Sequence, residues 1–450
     1  MDLKRIFARR RYMHFDEPVS PRAARAFATN PESVVKWSFF PLLNWILSAD
    51  RVKRHQDGNL KPKQKNRPIC YAAHKDAAIY AYYGAMLAKS YEQELQRLGL
   101  TEVVTAFRPG SGKCNIDFAA EAFDWIRDHP NCLALAFDIE AFFDNLDHQL
   151  LKHQWARIIR QDRLPPDHYA VYRSLTRFAC VDRLEALKAL GISPHNVRSG
   201  NRRRLCDAES FRLKIRGGGL IRQNLSPYGI PQGSPMSAVI SNIYMLDFDT
   251  AVAGKVNALG GLYRRYCDDM LCVVDPAAQQ EIETFVANEI QKVKLKLQAE
   301  KTGRHHFQLS GGRLITDKPL KYLGFTFDGE RVLLRNAAIS KYYSRMRAGI
   351  ALAAQTMKRK NRLRVAHGEP PSQLKRRKLQ ILYTFLGRHN FPAYVYRAAS
   401  IFNEPAIKRQ IRRHPAKLAR GIARAIRRQV PPALRPRPPA TPPPPTQTPT

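Results

Sequence analysis

The residues Tyr266-Cys267-Asp268-Asp269 place two carboxylates side by side in the chain. Apolar and β-forming residues flank them at 261–266 and 270–274, a pattern that predicts a β-hairpin with the aspartates at its tip. Adjacent carboxylates repel one another, and a divalent cation offsets that repulsion because it takes oxygen ligands. The alternative is an ordinary polar turn, since Asp is a common turn residue.

A third carboxylate, Asp138, follows directly after an apolar run at 133–137 that predicts a buried strand. An ionised carboxylate just beyond a buried strand costs free energy unless it has a partner. The end of a sheet strand is also a usual place for a metal ligand or a catalytic acid, so Asp138 favours the metal interpretation of the pair downstream. Glu140, Asp144 and Asp147 lie beyond the strand and are interpreted as solvated or capping residues.

The charge of the chain predicts a polyanionic partner. The 450 residues include 75 Lys and Arg against 38 Asp and Glu, which gives a formal net charge of +37. A compact protein with this excess repels itself unless an anion such as nucleic acid is its partner. The N-terminus has no secretory apolar run and no stretch approaches a membrane span, so we expect a cytoplasmic protein without a membrane partner. The seven cysteines are scattered without a CxxC pair, which favours reduced thiols over a zinc finger.

Other segments predict surfaces for ligands. A basic extended run at 61–69 suits phosphate contacts, although a solvated strand has the same pattern. Glycine and proline at 228–235 fix a turn whose backbone can approach a ligand closely, and a helix of small residues follows it. Residues 336–428 are helical in pattern and strongly basic, which fits a grip on a phosphate backbone or, alternatively, a membrane-surface helix. The last twenty residues contain ten prolines and predict a disordered tail.

Three motifs in this order resemble those of the reverse transcriptases: FDIEAFFDNLDH at 137–148, GIPQGSPMSAVISNIYM at 229–245 and YCDD at 266–269. The resemblance covers roughly residues 61 to 420. It implies an α+β fold of the right-hand polymerase type, with fingers, a palm of antiparallel sheet plus helices, and an α-helical thumb. The implied segments are a basic helical N-terminal extension (1–60), fingers (61–135), a palm (136–330) with an insertion at 149–228, a helical basic thumb (331–428) and a disordered proline-rich tail (429–450).

The resemblance implies that Asp138, Asp268 and Asp269 are the catalytic carboxylates and the ligands of two Mg²⁺ ions, with Mn²⁺ as a possible substitute. Nucleotidyl transfer is an in-line displacement in which two ions stabilise the attacking and leaving oxygens. About 130 positions separate the first aspartate from the pair. Neighbouring strands lie only about 5 Å apart, so the three side chains can still converge on adjacent palm strands.

Further roles follow from matching positions in the family. Phe143 matches the aromatic gate that would clash with a ribose 2′-hydroxyl, which favours deoxynucleotides, and core packing is its alternative. Lys301 matches a lysine proposed as general acid to the pyrophosphate, and a surface lysine is equally compatible. The remaining substrate contacts implied are Lys65 and Arg67 for the triphosphate, Gln232 and Gly233 along the incoming nucleotide and template, and Tyr266.

The implied activity is that of an RNA-directed DNA polymerase, which takes an RNA template and dNTPs and makes a cDNA product. Within the family, the chain resembles the bacterial reverse transcriptases of the retron and group II intron-like type. It has Tyr322-Leu-Gly324 at the position where retron enzymes usually have Val-Thr-Gly. The chain looks most like the stand-alone reverse transcriptases of antiviral defence, which work with a structured non-coding RNA. Two other hypotheses stay open: an untemplated or protein-primed polymerase of the abortive-infection type, and an RNA-binding splicing or packaging factor with an idle active site. The template, the primer and the oligomeric state stay open as well.

Overall fold

The computed structural model describes residues 2–54, 60–387 and 390–427. These residues divide into two compact units. The first comprises Met1–Gly112 with His129–Gln308, and the second comprises Lys113–Asp128 with Leu309–Thr450. Both units mix helices with strands, so the predicted α+β class is confirmed.

Several helices of the first unit begin at side chains that accept from their first backbone amides. The Asp147 carboxylate accepts from the Leu150 amide at 2.9 Å, and the Asp182 carboxylate accepts from the Leu184 amide at 2.8 Å.

The helices of both units in chain order are α1 (Leu3–Ile6), α2 (Pro21–Ala28), α3 (Pro31–Val35), α4 (His74–Arg97), α5 (Asn115–Asp128), α6 (His148–Ile158), α7 (Pro166–Thr176), α8 (Arg183–Ala189), α9 (Ala208–Ser210), α10 (Ser237–Tyr244), α11 (Leu246–Ala258), α12 (Gln279–Lys292), α13 (Asn336–Ala366), α14 (Arg376–Tyr383), α15 (Phe391–Ile401), α16 (Pro405–Gln410) and α17 (His414–Arg427).

An antiparallel sheet in the first unit carries the acidic motifs. The strands in chain order are β1 (Leu42–Arg54), β2 (Leu60–Tyr71), β3 (Cys132–Asp138), β4 (Ala179–Asp182), β5 (Arg222–Gln223), β6 (Leu262–Tyr266), β7 (Asp269–Val274), β8 (Gly303–Ser310), β9 (Arg313–Thr316), β10 (Leu320–Tyr322), β11 (Phe325–Phe327) and β12 (Val332–Leu334). Within the first unit the neighbours run in the order β6, β7, β3, β8. The predicted buried strand at 133–137 is confirmed as β3, in which Leu133 and Leu135 are fully buried.

The core of the first unit is formed by helices α4, α6 and α10 together with this sheet. Tyr83 on α4, Trp155 on α6 and Ile240 on α10 have 1%, 0% and 0% exposure and belong to one apolar cluster. Burial of one large apolar side chain contributes about 1.5–3 kcal/mol. The segment 149–228, predicted as an insertion, therefore supplies α6 and α7 to this core.

The N-terminal 60 residues are not helical throughout, and this part of the prediction is wrong. Helices α1 to α3 end at Val35, and the strand β1 pairs antiparallel with β2 and parallel with β4. The apolar run at 42–47 has no single period, and its hydrogen-bond partners are distant in sequence. Strand pairing of this kind leaves no local signal. The basic extended run at 61–69 is confirmed as part of β2.

The second unit combines α5, a small antiparallel sheet of β10, β11 and β12, and helices α13 to α17. Its helical pattern is confirmed, since Ile350 on α13 and Leu418 and Ile422 on α17 share one buried cluster. Arg420 and Arg424 lie on the exposed side of α17. The predicted tail at 429–450 lies outside the described residues. No helix in the described part of the chain is both long and apolar enough to cross a membrane.

Candidate active site

The aspartate pair lies in the turn of a β-hairpin, as predicted. Strand β6 ends at Tyr266, strand β7 begins at Asp269, and these two residues are paired across the hairpin. Cys267 has a backbone φ of 61°, in the left-handed region that non-glycine residues rarely adopt. Such a conformation costs about 1–3 kcal/mol and persists only where the surroundings hold it.

A fully buried arginine stabilises this turn by a hydrogen bond to its backbone. Arg265 is 0% exposed, and its guanidinium donates to the Cys267 carbonyl at 3.1 Å. It also donates to both oxygens of the buried Asp249 carboxylate, at 2.7 and 2.6 Å, and to the Asn242 side-chain oxygen at 3.1 Å. Burial by itself lowers the pKa of Arg265, but the charge and hydrogen bonds of Asp249 outweigh that effect and raise the pKa above its ordinary value.

Asp138 lies directly opposite Asp269 in the antiparallel register of β3 and β7. Side chains of directly paired residues point to the same face of a sheet, and like charges in such a pair destabilise it. The Lys301 ammonium donates to both Asp138 oxygens, at 2.9 and 3.0 Å. Lys301 reaches this position because the Gln298 amide donates to the Asp138 carbonyl at 2.8 Å and so joins the two segments.

The carboxylates suit a divalent cation, although their role as metal ligands stays a prediction. Among the described residues, no three His, Cys, Asp or Glu side chains form a ready-made metal cluster. The structure does bring Asp138 opposite Asp269, and Asp268 precedes Asp269 in the turn. The Lys301 ammonium already stands as a cation against Asp138, and carboxylate oxygens are the donors that Mg²⁺ and Mn²⁺ prefer.

The glycine-rich turn at 229–233 is pressed against β2. The Cys70 amide donates to the Gln232 carbonyl at 2.8 Å. Gly233 has a φ of +104°, and a Cβ added there would lie 2.4 Å from the Cys70 carbonyl oxygen. Only glycine fits this position, because the turn approaches Cys70 so closely. The predicted approach of the turn to a ligand stays a prediction.

The acidic residues beyond β3 have different roles. Asp147 caps α6 and pairs with Lys294 at 2.8 Å, so its interpretation as a capping residue is confirmed. Burial raises the pKa of Asp144, and the Gln232 amide, 3.5 Å from its carboxylate, partly offsets that rise. The Asp144 side chain is nevertheless exposed, so its interpretation as a solvated residue is confirmed, and it lies beside the glycine-rich turn.

The other predicted site residues are distributed around this centre. Phe143 packs partly buried against the core, and its carbonyl accepts from the Ile230 amide at 2.9 Å, which joins it to the glycine-rich turn. Arg67 is exposed on β2, while the Lys65 side chain lies outside the described residues. Tyr266 is partly buried against the core at the end of β6.

Sequence reasoning missed Asp249, Asn242 and Arg265. Asp249 did carry a signal, because it repeats with Leu246 and Val252 at helical spacing on the apolar face of α11. A charged residue on such a face needs a buried partner. The pattern does not identify that partner as Arg265.

The family model described as reverse transcriptase (RNA-dependent DNA polymerase) matches residues 60–327, which is more than half of the 450 residues. The chain therefore belongs to the reverse transcriptase family. This membership confirms the predicted family and the predicted fold class. The match includes β2, the glycine-rich turn, the hairpin and Lys301.

Solved polymerase structures are similar to the chain at low sequence identity. A telomerase from Candida tropicalis, truncated from its C-terminal domain, has 12% identity, covers 71% of this chain and 61% of its own, and has a TM-score of 0.40. A Candida albicans telomerase in complex with a TWJ fragment of telomeric RNA has 12% identity, 91% and 67% coverage, and a TM-score of 0.39. The RNA-dependent RNA polymerase of a human picobirnavirus has 11% identity, 65% and 44% coverage, and a TM-score of 0.35. The chain thus spans about three fifths of the first telomerase, and the search of curated proteins found no match.

Replacing Gly233 with alanine should destabilise the first unit. The added Cβ would stand 2.4 Å from the Cys70 oxygen at a positive φ, so we expect Gly233→Ala to lose about 1–3 kcal/mol of unfolding free energy. Gly254→Ala is the control, because nothing lies within 4 Å of its Cβ position in α11 and alanine should stabilise that helix by about 0.5–1 kcal/mol. Denaturant unfolding measures both. Equal stabilities of the two variants would contradict the close approach at Gly233.

Removing Arg265 alone should be more damaging than removing the whole ion pair. Arg265→Leu leaves the Asp249 carboxylate buried without its cation, and we expect a loss of about 3–5 kcal/mol in unfolding free energy. The double variant Arg265→Leu/Asp249→Leu should regain much of that stability, because no charge then remains buried. Denaturant unfolding of the three proteins tests the order. A double variant less stable than Arg265→Leu would disprove it.

Proposed function

We propose that this protein is an RNA-directed DNA polymerase that copies an RNA template into cDNA at Asp138, Asp268 and Asp269. The observation that carries the proposal is the pairing of Asp138 with Asp269, directly beside the turn that bears Asp268, in a chain of the reverse transcriptase family. The antiparallel register places the first and last of these carboxylates on one face of the sheet. Two carboxylates on that face, with Asp268 in the adjoining turn, match the need of phosphoryl transfer for cation binding.

The carboxylates would hold divalent cations, Mg²⁺ or alternatively Mn²⁺, which when bound supply charge stabilisation to the attacking and leaving oxygens. Asp138 is fixed by the end of β3, and the Asp268 turn is fixed by the bond from Arg265 to the Cys267 carbonyl. Lys301 carries a transferable proton on Nζ, 2.9 Å from the Asp138 carboxylate. Once the triphosphate is bound, this ammonium would leave Asp138 and donate a proton to the departing pyrophosphate.

The substrate contacts follow from the surroundings of the carboxylates. Arg67, exposed on β2, and Lys65, two positions before it, would bind the triphosphate. Gln232 and Gly233 would lie along the incoming nucleotide and the template. Tyr266, at the end of β6, would be a further substrate contact. Because a backbone hydrogen bond joins Cys70 on β2 to Gln232 in the glycine-rich turn, the residues on these two segments would keep a fixed position relative to each other.

The partners proposed are an RNA template, dNTPs and the DNA product. The net charge of +37 supports a polyanionic partner. The exposed arginines of α17 support a phosphate-binding role for the second unit as a thumb. The finer proposal is a cytoplasmic enzyme of antiviral defence with an associated structured non-coding RNA, supported by Tyr322-Leu-Gly324 in the position that differs from retron enzymes.

The deciding experiment is to purify the protein with its bound nucleic acid, add Mg²⁺ and labelled dNTPs, and sequence both RNA and product. We expect a DNA complementary to one enriched RNA, lost to background in Asp268→Asn/Asp269→Asn. Asp124→Asn/Asp128→Asn is the matched control, since it makes the same charge change on exposed positions of α5.

Each other outcome of this experiment identifies a competing function. A product without a complement in the bound RNA would indicate untemplated or protein-primed synthesis. No product from the wild-type chain, with RNA still bound, would indicate an RNA-binding factor with an idle site. A product that persists in the double Asn variant would show that these carboxylates are not catalytic.

Phe143 should control discrimination against ribonucleotides. If its ring excludes the 2′-hydroxyl, Phe143→Val should raise the efficiency of NTP use relative to dNTP use by about 10- to 200-fold. The measurement is kcat/KM for one dNTP and its matching NTP, with dNTP use by wild-type protein as the reference. An unchanged ratio would assign Phe143 to core packing only.

A further inference from the structure

A cavity of about 900 Å³ lies in the first unit, where β1 and the end of β2 meet the start of α8 and the loop at 194–198. None of the residues assigned above to polymerisation lines it. We call it the aromatic pocket. The lining side chains used below are Tyr12, Trp45, Ile46, Tyr71, Arg183, Leu184 and Arg198.

Three aromatic rings form one wall of the aromatic pocket. The ring centroids of Tyr12 and Tyr71 lie 5.1 Å apart, and those of Trp45 and Tyr71 lie 5.5 Å apart, both edge to face. This packing fixes the rings yet leaves Trp45 38% exposed. Ile46 and Leu184, 58% and 56% exposed, line the same cavity. Large apolar side chains exposed together in a concave surface favour a ligand that covers them.

The charged groups of the aromatic pocket are arranged for an anion. Arg183 and Arg198 both line it, and the Arg183 side chain also hydrogen-bonds Tyr71 in the same lining. The guanidinium of Arg198 is oriented by a hydrogen bond to the Arg11 carbonyl. The carboxylate in the lining, Asp182, is engaged as the cap of α8, where it accepts from the Leu184 and Glu185 amides. The lining therefore carries two guanidinium groups against one carboxylate, and this excess of positive charge lies beside flat apolar surfaces.

We propose that the aromatic pocket binds an unpaired nucleotide of a single-stranded RNA, with its base on Trp45 and its flanking phosphates on Arg183 and Arg198. Stacking on aromatic side chains combined with basic backbone contacts is how proteins hold single-stranded nucleic acid. Base pairing hides the faces of a base, so the pocket selects unpaired segments. That the strand is RNA rests on the proposed function, whereas the stacking and phosphate contacts rest on the pocket alone.

A nucleic-acid ligand fits better than a peptide. An apolar or proline-rich peptide would cover Trp45, Ile46 and Leu184, but it would leave Arg183 and Arg198 without an acceptor of their charge. A nucleotide satisfies both features at once. A free mononucleotide shares this chemistry, and the experiment below separates it from a strand.

The test measures fluorescence anisotropy of a labelled 12-nucleotide single-stranded RNA with the full chain, without dNTPs. We expect Trp45→Ala to weaken binding about 5- to 150-fold, and Trp45→Phe, which keeps an aromatic face, to retain most of the affinity. Tyr169→Ala is the control, because this ring is 43% exposed outside the pocket. A blunt RNA duplex should bind all four proteins equally.

The arginines are tested by salt dependence. Arg183→Gln/Arg198→Gln should reduce the slope of log affinity against log salt by about 1.4, the value for two phosphate contacts on a single strand. Arg163→Gln/Arg212→Gln removes two exposed arginines elsewhere in the same unit and is the matched control. Equal slopes in the two double variants would overturn the phosphate contacts.

The remaining outcomes are decisive as well. Equal RNA affinity of Trp45→Ala and Tyr169→Ala overturns the proposal, and so does displacement of the 12-mer by equimolar UMP or by a proline-rich peptide. If the chain makes no DNA but Trp45→Ala still weakens single-strand binding, only the polymerase function fails. If it makes templated DNA and Trp45→Ala binds RNA like wild type, only the pocket assignment fails.

Discussion

The hairpin turn that bears Asp268 depends on one buried ion pair, between Arg265 and Asp249. Both side chains are 0% exposed, and a charge in that position is stable only when its partner and its hydrogen bonds are in place. The same guanidinium donates to the Cys267 carbonyl and to Asn242 on α10. Since α10 begins just after the glycine-rich turn, the pair connects the hairpin to the helix that follows that turn. A strained turn held by a buried charge gives the aspartates a fixed position before any ligand binds.

Whereas the buried Arg265–Asp249 pair is balanced in charge, the proposed site itself has an excess of negative charge. Asp138 and Asp269 are paired across two strands, and Asp268 adds a third carboxylate in the adjacent turn. Lys301 balances part of this charge through both oxygens of Asp138. The face of the sheet thus combines a rigid frame with acidic groups that favour cations. That combination suits phosphoryl transfer, in which positioning and charge stabilisation supply most of the catalysis.

Strand β2 links the glycine-rich turn of the proposed site to the N-terminal part of the first unit. Its Cys70 backbone contacts the glycine-rich turn on one side, while Tyr71 next to it lines the aromatic pocket with β1. One strand end therefore contributes to the wall of the proposed nucleotide site and to the proposed single-strand site. An RNA segment held in the aromatic pocket would be anchored to the same strand that carries Arg67.

Some of these features were determined by the sequence alone, because their signals are local. The hairpin at Tyr266 to Asp269, the strand that ends at Asp138 and the capping role of Asp147 follow from periodicity and residue type within about ten positions. The order of the motifs was enough to place the chain in its family. Tertiary structure decided what depends on distant partners: β1 is a strand because β2 and β4 supply its hydrogen bonds, and Arg265 is buried because Asp249 lies beside it. Lys301 contacts Asp138 across 163 positions, and Gly233 must be glycine because Cys70 approaches it. Hydrogen bonds and ion pairs between residues so far apart leave no period in the sequence, so only the folded chain reveals them.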